Sequence, residues 1–105
     1  MSTRHEPADL IRAACVVAGC TVPGFMQLNA RNNRVALARS IFVETMRRED
    51  RSFSEIADAA GWRSPSRPHA IHKETEDLKP RKLAAFSKQA AQAVALATEY
   101  TEARK

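Results

Sequence analysis

Apolar residues recur along this chain at helical rather than alternating spacing. Leu10, Ile11, Ala14, Cys15 and Ala18 fall three and four apart, which places them on one side of a helix that Pro7 opens and Gly19 ends. Thr21, Val22 and Pro23 make a cap-like start to a short apolar helix carrying Phe25 and Met26 and reaching toward Leu28. Asn29 to Arg34 is polar and reads as a loop. Val35, Ala38, Ile41, Phe42, Thr45 and Met46 then mark one face of a longer helix ending near Arg48, with Arg39, Arg47 and Arg48 off that stripe.

After the loop Glu49–Arg51, the run Ser52-Phe53-Ser54-Glu55 has the form of a capping box. The Ser52 hydroxyl accepts from the third amide, and Glu55 reaches back to the Ser52 N–H. The helix it starts turns Phe53, Ile56, Ala57 and Ala60 inward and closes at Gly61. Trp62, Arg63 and the proline-containing run 64–68 lead into a further helix reaching about Leu78, with Ser64 or Ser66 as its cap. Lys79-Pro80 is a break. From Arg81 to about Ala103 runs an alanine-rich helix in which Leu83, Phe86, Ala90, Ala93, Ala97 and Tyr100 form a seam of mostly small residues. Such a seam either docks on its own domain or pairs with another chain, and spacing leaves both open. The chain therefore divides into a domain over 1–79 and an appended helix over 80–105.

Composition sharpens this all-α picture. A chain of 105 residues with three glycines suits one helical domain and has no room for a nucleotide-hydrolysing module beside it. The net charge of +5, with a pI near 9.8, favours a polyanionic partner, most often nucleic acid and less often an anionic membrane face. No apolar run approaches the ~20 residues of a membrane span, and the N-terminus does not resemble a signal peptide. Cys15 and Cys20 lie five apart, the wrong spacing for a Cys-x-x-Cys pair, and read as two small apolar residues of a reducing, cytoplasmic compartment. His69 and His72 share a helical face, but nothing nearby completes a ligand set. No metal, cofactor or catalytic residue is expected.

The feature that carries function is the pair of helices around Gly61. A capped short helix, a glycine turn and a second helix opening on polar and basic residues form the pattern of a helix-turn-helix. In that arrangement the helix over 64–78 enters the major groove and presents Ser64, Ser66, Arg67 and His69. Arg67 is the leading candidate for base readout, because a guanidinium donates two bonds to guanine O6 and N7. The same spacing also suits a plain helical hairpin with a solvated basic end.

From about Leu10 to Leu78 the chain resembles the C-terminal DNA-binding domain (domain IV) of the bacterial replication initiator DnaA, which has a Trp-repressor-like fold. Residues 18–26 (Ala-Gly-Cys-Thr-Val-Pro-Gly-Phe-Met) resemble the opening of that family's short second helix, and Arg31 to Arg34 stand at its basic loop. Val35-Ala36-Leu37-Ala38-Arg39-Ser40 matches the start of its long helix. Ser52-Phe53-Ser54-Glu55-Ile56-Ala57 is similar to its Ser-Leu-x-Glu-Ile-Gly, Gly61-Trp62-Arg63 to its Gly-Gly-Arg, and His69-Ala70 with Lys73, after one gap, to its His-Ala-x-x-Lys. The resemblance implies that Arg31 enters the minor groove and that Arg39, Arg47 and Arg63 support phosphate contact. Where the family has Asp-His-Thr-Thr this chain has Ser64-Pro65-Ser66-Arg67, so a shared target site is not implied. No Gly-x-x-x-x-Gly-Lys-Ser/Thr loop is present.

The expectation is an all-α, DnaA domain IV-like helix-turn-helix bundle with an additional C-terminal helix. It would act without catalysis as a sequence-specific transcriptional regulator of promoters, of the kind found in bacteria, phages and gene-transfer agents, at the cytoplasmic nucleoid. Its DNA-binding set would be Arg31, Arg34, Arg39, Arg47, Ser52, Arg63, Ser64, Ser66, Arg67, His69 and Lys73. The rival is an adaptor or replication accessory acting through origin DNA or through a protein held by 81–103.

Overall fold

The computed structural model describes residues 5–27 and 32–104, and these are all-helical, with no strand among them. Leu28 and the expected loop residues 29–31, Arg31 included, lie outside the described residues. The elements are α1 (Pro7–Ala18), α2 (Val22–Met26), α3 (Asn33–Arg48), α4 (Phe53–Ala60), α5 (Ser66–Glu76) and α6 (Pro80–Ala103).

Local chemistry sets most of these boundaries. Gly19 and Gly61 take the left-handed conformation, φ 82° and 75°, and each closes its helix through hydrogen bonds running back into the last turn. The Thr21 hydroxyl accepts from the Gly24 N–H at 3.1 Å and starts α2. Asn32 Oδ1 accepts from the N–H groups of Arg34 and Val35, so α3 begins two residues before the apolar stripe that announces it. The capping box at Ser52 is complete. Pro80, expected to break the chain, is instead the first residue of α6, where its missing N–H costs nothing.

α3 is the centre of the core. Ile41, Phe42, Val43 and Met46 are fully buried, with α1, α2, α4, α5 and α6 packed around them. Phe25, Phe42 and Trp62 form an aromatic cluster: Phe25 and Phe42 meet edge to face at 5.7 Å, and Trp62 stacks on Phe25 at 6.4 Å. The α6 seam packs along α1 and α3, burying Phe86, Ala90, Ala93 and Ala97. Its far end is held by polar contacts as well. Arg104 pairs with the buried Asp9 carboxylate, which also accepts from the Thr101 hydroxyl at 3.2 Å. The Arg12 guanidinium lies 4.1 Å over the Tyr100 ring. The appended helix is thus part of the same core as residues 7–76. Among the described residues no helix is long and apolar enough to cross a membrane.

Candidate nucleic-acid interface

The turn between α4 and α5 is anchored from below. Once Gly61 has turned the chain, the Trp62 N–H donates to the Ala57 carbonyl at 2.8 Å, and the indole drops into the aromatic cluster until 5 % of its surface remains exposed. Arg63 and Ser64 stay at the surface. The Ser64 hydroxyl accepts from the Ser66 N–H at 3.2 Å and meets the Ser66 hydroxyl at 2.9 Å, but neither serine is the expected cap, because Pro65 holds the N-cap position and α5 has no side-chain cap.

α5 lies against the body through one side. Pro68 and Thr75 are buried and Ile71 half-buried. His72 is wedged between two carboxylates, its Nδ1 2.5 Å from Glu44 of α3 and its Nε2 2.9 Å from Glu76 of its own helix. Phe53, at the start of α4, presents its ring to His69 at 5.1 Å and to His72 at 5.7 Å. These contacts fix α5 in rotation, and the residues opposite them follow from helical spacing. Ser66, Ala70, Lys73 and Asp77 form the outer stripe, with His69 and Glu74 beside it, all exposed. The stripe has a polarity. Its first turn carries Ser66 with Arg67 beside it, just after Arg63, whereas Lys73 stands in the last turn with Glu74, Glu76 and Asp77.

The expected site residues fall into three groups. Ser64, Ser66, His69 and Lys73 line the outer half of α5, with Arg63 just before them. Arg67 is on the flank: it is half-buried, its guanidinium 5.5 Å over the Trp62 ring. The third group is committed to the scaffold. Arg47 lies over Phe53 at 4.4 Å and donates to the Arg51 carbonyl at 3.0 Å. The Ser52 oxygen accepts from the Glu55 N–H at 3.1 Å.

Arg39 needs a correction. A phosphate contact requires an exposed guanidinium, but Arg39 is 6 % exposed and donates to the Phe25 carbonyl at 2.8 Å and the Gln27 carbonyl at 2.6 Å. It ties the end of α2 to α3. Burial lowers its pKa from the ordinary value, and the nearby charge of Arg67 lowers it further, against a smaller opposing effect of Cys20. Arg34 is exposed at the first turn of α3, its side chain passing beside Gly19. Arg31 has no described position.

No known protein family, characterised protein or solved structure matches the chain. What the surface can do therefore rests on its own geometry. Two residues escaped the reading of the sequence. Ala70 stands mid-stripe, where the spacing of 66, 70 and 73 opposite Pro68 and Thr75 was the available signal. His72 holds α5 to α3, a role spacing does not reveal because Glu44 lies 28 residues away.

Proposed function

We propose that the chain is a double-stranded DNA-binding regulator in which α4 and α5 form a helix-turn-helix and the first two turns of α5 enter the major groove. The observation that carries this reading is the outer stripe of α5. It is packed against the body from behind and exposed in front, carries Ser66 with its neighbour Arg67 at the N-terminal end, and has carboxylates, beside Lys73, only toward the C-terminal end. The positive end of the helix dipole points the same way. Ser66 and Lys73 offer donors to base edges or phosphates, and Ala70 is small enough to approach a thymine methyl. Arg63 and Arg34 supply phosphate contact, and Arg67 stands at the edge of the groove-facing surface. Likeness to the DNA-binding domain of DnaA supports the same assignment. The target is a promoter site read without catalysis or cofactor, in the nucleoid.

The test is selection of binding sites from random duplex DNA, followed by a salt titration on the selected site. A motif bound on the order of 10³-fold or more above scrambled DNA is expected. On that site Arg67→Ala is expected to cost about 1–3 kcal/mol and relax the preference at one position. Equal losses on every sequence would make Arg67 a phosphate contact. Absence of any enriched motif would remove the regulator reading.

A second reading is favoured by one observation. A cleft of about 200 Å³ opens between α3, α5 and α6, lined by Leu37, Ser40, Glu74, Thr75, Leu78 and Phe86. An adaptor or replication accessory would use such an apolar recess, away from the outer stripe, to hold a protein side chain.

A further inference from the structure

We propose that Cys15 and Cys20 form a dithiol site that closes to an intramolecular disulfide across the end of α1, with a low-molecular-weight disulfide such as oxidised glutathione as the oxidant. The proposal is independent of the DNA-binding reading.

The geometry comes from the helix cap. Gly19 in the left-handed conformation turns the chain so that the Cys20 N–H donates back to the Cys15 carbonyl at 2.9 Å. This is the six-to-one hydrogen bond of a Schellman motif, and the two residues it joins are the pair whose side chains meet in that motif. Covalent geometry on either side of the bond limits the Cα–Cα separation to no more than about 6.8 Å, within the range that disulfides span. Both cysteines are free. In sequence their spacing excluded a Cys-x-x-Cys pair. In the folded chain the glycine turn brings them together.

The two thiols differ in access, and that orders the steps. Cys20 is half-buried and Cys15 is 2 % exposed, its Sγ donating to the Thr21 carbonyl at 3.7 Å. The Cys20 thiolate attacks one sulfur of glutathione disulfide, forming a protein–glutathione bond and releasing one glutathione thiolate. Cys15 then loses its proton and attacks the Cys20 sulfur, expelling the second glutathione. Two protein thiols are oxidised by two electrons, one disulfide is reduced to two thiols, and the protons end on the released glutathione. Burial and the neighbouring Cys20 raise the Cys15 pKa to about 12, so the second step is the slow one at neutral pH and accelerates as pH rises.

The full-length reduced protein is incubated with oxidised glutathione, quenched with an alkylating agent and analysed by intact mass and peptide mapping. The expected product is monomeric, about two mass units lighter than the reduced chain, with neither cysteine alkylated. Because the closed pair matches the native cap, its Tm is expected to rise by about 5–10 °C. Cys15→Ala should accumulate the glutathione adduct on Cys20, whereas Cys20→Ser should leave Cys15 unmodified in the folded protein. A wild-type reaction that stops at the adduct, links two chains or fails altogether would overturn the proposal. A fall in Tm on closure would also overturn it, since it would show that the native cap does not accommodate the bond.

Discussion

Replacing Arg39 separates a structural brace from a DNA contact. In Arg39→Ala the carbonyls of Phe25 and Gln27 lose a charged donor that reaches them at 2.8 and 2.6 Å, and the core loses the aliphatic stem packed beneath α2. A hydrogen bond to a charged group contributes about 1.5–3 kcal/mol, and an unpaired buried carbonyl costs about 1–3 kcal/mol. Against this, the variant no longer holds a desolvated cation beside Arg67, which returns part of the loss. The net destabilisation should be roughly 2–4 kcal/mol, corresponding to a Tm lower by roughly 10–20 °C in a domain of this size. Arg39→Lys keeps the charge but cannot fork between two carbonyls, so it should fall about midway. Thermal and urea denaturation measure both. For any folded fraction, the salt dependence of DNA binding should match that of the unmodified chain. An unchanged Tm, together with uniformly weaker DNA binding and a salt slope reduced by about one, would refute the assignment and restore Arg39 as a phosphate contact.

Three further outcomes are expected. Gly61→Ala should cost about 1–2 kcal/mol from backbone conformation alone, since a Cβ there would meet only Met26 Cε at an ordinary 3.6 Å; a neutral result in denaturant unfolding would argue against the left-handed turn. Ala93→Leu should destabilise by about 1–3 kcal/mol, because the fully buried alanine faces packed neighbours; a gain in stability would mean that α6 packs loosely. The third concerns pH. The Cys15 thiol has its folded pKa raised from 9.0 to about 12, so its contribution is intact below pH 9 and is lost as pH rises toward the folded value. Stability should decline as pH rises through that window, beyond the decline of Cys15→Ala. Parallel curves for the two proteins in alkaline denaturation would contradict this.

Much of the fold was legible because short-range signals decide it. The 3.6-residue stripes, the Ser52–Glu55 box and the glycines at 19 and 61 act within a few residues of themselves, and each marks an element the chain has. The misjudged ends are cases in which one side chain or ring moves a boundary: Asn32 starts α3 early, and Pro80 begins a helix where a break was expected. The choice left open for the alanine seam depended on partners far away in sequence. Asp9 and Arg104 meet across 95 positions, and no local pattern announces that contact.

The candidate site was less legible for a related reason. Arginine is read from sequence as charge, but its role depends on whether the guanidinium faces solvent or the interior. Arg39 and Arg63 stand in equally basic surroundings in the sequence, yet one is spent on two backbone carbonyls and the other projects from a turn. Trp62 links the two situations. Its indole closes the core beneath the turn through Phe25, the residue whose carbonyl Arg39 binds, while its other surface carries the Arg67 guanidinium. The pose of the outer stripe is therefore coupled to core packing through one side chain. Any change that loosens α2, whether at Arg39 or at Phe25, should reach the exposed residues at the start of α5 through Trp62.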